Sequence, residues 1–124
     1  MAKCDEGYLC EVCGEEVEGI TASDLYLRYV IGEVDPEQLH TTAERHITCN
    51  PILAQFIADE TFEFSGEAPA GFGLAELDEV YVRDRRSLVT RGWRRLQKVA
   101  RDEDAIINYP LPEIRAKIEA KYKK

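Results

Sequence analysis

Cys10 and Cys13 stand two residues apart near the start of the chain, and His46 and Cys49 repeat that spacing after a spacer of 32 residues. Two tight pairs of soft or borderline donors suit a tetrahedral zinc ion. Each short loop wraps one edge of the ion while the fold brings the edges together. The set CEVC…HITC therefore predicts a structural Zn2+ site with Cys10, Cys13, His46 and Cys49 as ligands. The plainer reading is that these are reduced core cysteines and a surface histidine, since cysteine is often buried as a small hydrophobe. Two independent pairs with ligand spacing seldom arise by accident, and zinc is preferred. Cys4 and His40 are the substitutes; Cys4 lies in the first few residues and His40 breaks the paired spacing, so both are read as bystanders.

A chain of 124 residues that is 44% apolar can form one domain with a core of its own, without help from disulfides. No run approaches the roughly 18 apolar residues that span a bilayer, and MAKCDEG lacks the basic-then-apolar pattern of a signal peptide. A soluble, cytoplasmic protein without membrane contact is expected, in a compartment where thiols are more often metal-bound, catalytic or free than paired. The formal charge of −8 is unevenly spread. Residues 1–80 carry 3 basic and 18 acidic side chains, and residues 81–124 carry 13 and 6. The two parts are electrostatically complementary, within one molecule or between molecules.

Local patterns give the elements. Gly14, directly after Cys13, suits the positive φ of a tight knuckle that frees neighbouring amides to donate to thiolate sulfur. In TASDLYLRYVIGEV, Ser23 or Asp24 can cap a short helix and Gly32 can end it, although Leu25, Leu27, Tyr29, Val30 and Ile31 do not settle the period and a strand stays open. Asp35-Pro36 starts a short helix reaching about Leu39 or His40, and Thr41 and Glu44 have capping-box spacing. Asn50-Pro51 opens a helix with an apolar stripe of Ile52, Leu53, Phe56 and Ile57, whose positive end should favour the Cys49 thiolate. Residues 59–74 form a linker-like stretch in which Phe62 and Phe64 could make a short strand. Residues 75–104 are helical, with Leu77, Val80, Leu88, Trp93, Leu96 and Ala100 inward and a bend or break expected near Thr90 to Gly92. A last helix covers about Pro112 to Tyr122, with Ile114 and Ile118 inward.

A glycine-bearing knuckle followed by two ligands at the start of a helix resembles the treble-clef group of zinc fingers over residues 8–58. That resemblance implies ligand roles and nothing more. The runs GYLCEVC, DLYLRYV and RHITCNP are also similar to small uncharacterised bacterial zinc-binding proteins, a likeness that implies no activity. The fold class expected is α+β and mainly helical: one domain over 1–124, with a zinc-bound β-hairpin and helix in 8–58 and a basic helical part in 75–124 packed on it.

Four good ligands close a tetrahedron and leave no position for a reactive water, which argues against hydrolysis with Glu44 as general base. CEVC is followed by a turn rather than a helix, unlike a thioredoxin-type redox motif. No phosphate loop, dinucleotide fingerprint or serine-nucleophile elbow is present. A non-catalytic module for a protein partner is the leading expectation. Its rival is a nucleic-acid-binding protein using the basic helix 83–101, with Arg91, Arg94, Arg95 and Lys98 as contacts and Trp93 either stacking or in the core.

Overall fold

The computed structural model describes residues 8–39, 41–62, 64, 66 and 68–122. Cys4 and His40 lie outside these. The chain is mainly helical: strands β1 (Tyr8–Leu9) and β2 (Glu16–Val17), then helices α1 (Asp24–Val30), α2 (Pro51–Ala54), α3 (Glu79–Asp102) and α4 (Pro112–Tyr122). Short 3-10 turns at Ile20–Ala22, Pro36–Gln38, Ile47–Cys49, Leu74–Glu76 and Ile106–Asn108 fill the connections. The strands pair antiparallel, Tyr8 with Val17 and Leu9 with Glu16.

Helix α1 is the centre of the molecule. Ser23 caps it by accepting from the Tyr26 amide, and Gly32, at φ 89°, follows its end. Six of its seven residues are buried and only Arg28 is not. A helix apolar nearly all round shows no single face, which is why its sequence reads equally as strand.

Helix α3 crosses α1 and is not broken at Gly92; it is continuous over 24 residues. Gly92 sits on the contact, where a Cβ would collide with Ile31 Cγ2 and stand 3.4 Å from Leu27 Cδ1. Its missing side chain serves the crossing, and the packing gained outweighs the helix-propensity cost of about 1 kcal/mol. Val89, Trp93, Leu96 and Val99 complete the inner stripe, whereas Val80, expected inside, is 54% exposed because the first turns of α3 run beyond the core.

Residues 56–62 pack against α3 rather than acting as a free tether. Thr90 Oγ1 donates to the Phe56 carbonyl (3.1 Å) and accepts from the Ala58 amide (2.8 Å), and Phe62 meets Trp93 edge-on at 5.6 Å. Neither Phe62 nor Phe64 belongs to a strand. Trp93 is buried in the core, as its place on the apolar stripe predicts. The final segment closes the other side of α1: Leu111 N donates to Val30 O (3.1 Å), Tyr29 Oη donates to Ile106 O (3.1 Å), and Ile114 is buried. One apolar cluster thus runs from Ile20 to Ile114. The charge division is answered within the molecule, because Arg85 pairs with Glu33, Arg94 with Asp59 and Lys121 with Asp35.

Candidate metal centre

The knuckle between β1 and β2 forms as its glycine requires. Gly14 adopts φ 78° and its amide donates to Cys10 O (2.9 Å), while Cys10 N donates to Glu15 O (2.8 Å). This turn leaves the Val12 amide facing Cys10 Sγ at 3.4 Å. The second ligand pair lies on the 3-10 turn Ile47–Cys49 and its N-cap, His46. An isolated bridge pairs His46 with Ser23, and the Asp24 amide donates to Arg45 O (2.8 Å), so the start of α1 fixes this loop. The two halves meet through Glu11 N donating to Glu44 O (3.0 Å) and His46 N approaching Cys10 Sγ (3.5 Å).

The four predicted side chains are brought together: the ligand atoms of Cys10, Cys13, His46 and Cys49 all lie within 4.8 Å of one another. His46 Nδ1 is 3.3 Å from Cys13 Sγ and 3.8 Å from Cys49 Sγ. Bonds of roughly 2.3 Å to sulfur and 2.0 Å to nitrogen would give a tetrahedron edges of about 3.5–3.8 Å, so modest closure around an ion suffices. His46 Nε2 lies 2.9 Å from Glu16 O. A carbonyl only accepts, so Nε2 carries a proton; the charged ring also donates from Nδ1 to the sulfurs, whereas the neutral ring turns an Nδ1 lone pair toward them. A carbonyl accepting from the far ring nitrogen typically orients a metal-bound imidazole. These residues could hold a metal ion.

The electrostatics of the cluster are uneven. Burial pushes the Cys10 thiol up, but hydrogen bonds from the backbone of Cys13, His46 and Val12 and from the His46 ring outweigh it and bring Cys10 down to about 6. Burial also opposes charge on His46; contact with the Cys10 thiolate and the Glu16 carbonyl overcomes this and raises its pKa. Cys49 is raised to about 12, first by burial and then by the neighbouring Cys10 and Cys13 sulfurs. That corrects the expectation of a helix-favoured Cys49 thiolate. Helix α2 is a single turn of four residues, too short for a strong dipole, and two adjacent sulfurs repel a third negative charge. A divalent cation among them would remove that repulsion and release the ligand protons.

The network behind these residues escaped the sequence reading, which saw Asp24, Glu44 and Asn50 as capping residues. Asp24 is completely buried, and its carboxylate accepts from Arg28 Nε (2.8 Å), Arg45 Nε (3.2 Å) and Nη2 (3.1 Å), and Asn50 Nδ2 (2.8 Å). Arg45 and Asn50 flank His46 and Cys49, so one carboxylate anchors both ends of the ligand loop. The available signal was an Asp-Arg pair four residues apart inside the apolar run DLYLR. Asn50 consequently makes no side-chain cap for α2. Glu44 forms no capping box either. It is buried, accepting from Ser23 Oγ (2.5 Å) and the Arg45 amide (3.3 Å), and its carboxylate is not among the donors gathered at the centre.

The four cations that the rival reading would set on nucleic acid all have partners within the protein. Arg91 pairs with Glu113 (2.8 Å), Arg94 with Asp59 (2.7 Å) and Lys98 with Asp102 (2.6 Å), while Arg95 donates to the carbonyls of Asn108 and Tyr109. No family model, curated protein or solved structure matches the chain. Among the described residues, no helix is long and apolar enough to cross a membrane.

Proposed function

We propose that the chain is a non-catalytic structural-zinc protein in which the ion clamps the knuckle to the ligand loop, in a treble-clef-like manner, and presents the knuckle surface to a protein partner. The carrying observation is the convergence of three cysteine sulfurs and a ring nitrogen of His46 within 4.8 Å. Three thiolates and one imidazole favour zinc over harder cations, and four donors leave the tetrahedron closed. The partner role rests on what the clamp holds outward: Leu9 is 68% and Val12 58% exposed, with Glu11, Glu15, Glu16 and Glu18 exposed around them. Exposed apolar side chains within an acidic rim suit a partner segment that is both apolar and basic.

Protein purified without added metal should contain about one zinc per chain, with an absorption-edge spectrum of three sulfurs and one nitrogen. Strong chelation should lower the melting temperature. An unchanged melting point and circular dichroism spectrum after verified metal removal would exclude the structural role. Leu9→Ser with Val12→Ser should keep the zinc and abolish partner capture; capture equal to the native chain would defeat the proposed surface. The nucleic-acid reading draws less support, since Arg91, Arg94, Arg95 and Lys98 are engaged internally. It would regain ground if salt-steep DNA or RNA binding fell in an Arg94→Ala, Arg95→Ala variant.

A further inference from the structure

On the side of α1 where the final segment docks, a cavity of about 570 Å3 opens between α1, the Pro36–Gln38 turn, the Ile106–Asn108 turn and α4. Tyr29, Pro36, Leu39, Ile106 and Ile118 give it a mainly apolar lining, and Ile107, 76% exposed, also lines it. A volume of this order is typical of small-molecule sites, which join apolar walls to a few fixed polar groups.

The polar groups here are few and mostly committed. Tyr29 Oη donates to Ile106 O, and Tyr122 Oη donates to Asp35. The exception is Arg115. Its guanidinium makes no hydrogen bond or ion pair among the described residues, and its Nε is buried without an acceptor. Glu119, one turn further along α4, also lines the cavity, but it is exposed and forms no ion pair with Arg115. The Nε lies below the reach of solvent, so a ligand in the cavity would meet the unpartnered Nη nitrogens, and a carboxylate matches such donors.

We propose that this cavity binds a small amphiphile with one carboxylate, its apolar body between α1 and α4 and its carboxylate on Arg115. The site is separate from the cysteine-histidine cluster, and its occupancy does not depend on the zinc reading.

Decanoate, used below its micelle concentration, is a suitable probe, with decan-1-ol as its uncharged counterpart. Titration of the full-length, isotope-labelled chain should give saturable shifts at the Ile106 and Ile118 amides. Decanoate should bind at least tenfold more tightly than decan-1-ol. Arg115→Met should erase that tenfold preference, and Arg115→Lys should retain part of it. Ile118→Trp, which fills the cavity, should abolish both titrations. The native comparison of decanoate with decan-1-ol requires no variant to fold. Equal affinity for the two, absence of saturable shifts, or a preference unchanged in a folded Arg115→Met chain would each overturn the proposal.

Discussion

Two single residues carry consequences out of proportion to their size. Gly92→Ala should stabilise an isolated helix by about 1 kcal/mol, yet the new methyl would meet Ile31 at the α1–α3 crossing. Overpacking of a tight contact costs about 1–3 kcal/mol, so steric conflict should win and the variant should be less stable. A denaturant midpoint equal to or above the native one would show that the crossing can yield. Asp24 makes a different demand, because it gathers Arg28, Arg45 and Asn50 around one buried carboxylate. Removing a buried partner leaves its cations unanswered. With both arginines about a quarter exposed, Asp24→Asn should cost about 2 kcal/mol, and under the proposed zinc reading loosening of the 45–50 loop should weaken metal binding about tenfold. Competition with a chromophoric chelator reads the second effect independently of the first; unchanged affinity would mean that the loop holds its shape without Asp24.

The docking of the last turn of α4 should depend on pH. Hydrogen bonds from Lys121 and Tyr122, with the Glu37 amide, hold the Asp35 carboxyl at about 2, below its ordinary 3.8. Because the folded value is depressed, the stabilisation is complete above 3.8 and disappears as pH falls through about 2. The Tyr122 ring resonances should therefore shift toward released values across that window, and in Asp35→Asn they should be released already at neutral pH. Resonances that stay fixed down to pH 2 would show that something else holds the turn. Elements with a one-sided pattern were partly legible in the sequence: Trp93 and Leu96 of α3 and Ile114 of α4 are buried where their spacing puts them, Leu88, Ala100 and Ile118 pack half-buried against the core, and Val89 and Val99 join the stripe unforeseen. The convergence of Cys10, Cys13, His46 and Cys49 was legible because the spacing within each pair is local chemistry. Elements governed by distant neighbours were not. Helix α1 is enclosed on all sides and loses its period, while Asn50 and Glu44 abandon local capping for Asp24 and Ser23, from which more than twenty residues separate them.

Across the whole molecule, the metal centre and the apolar core share little. Of the knuckle segment from Leu9 to Val17, only Cys10 and Val17 are buried, whereas the core cluster runs from Ile20 to Ile114. Chelation should accordingly release amide protection first in residues 9–17 and 44–50, and leave α1 and α3 protected for longer. Simultaneous loss of protection across all four segments would mean that the ion holds up the core as well. The crossing at Gly92 also has an evolutionary corollary. Positions 31 and 92 compete for one volume, so chains that keep this crossing should keep glycine at 92 wherever 31 is branched. A larger residue at 92 should be accompanied by a smaller one at 31, and the two positions should covary in descent as a pair even though 60 residues of sequence lie between them.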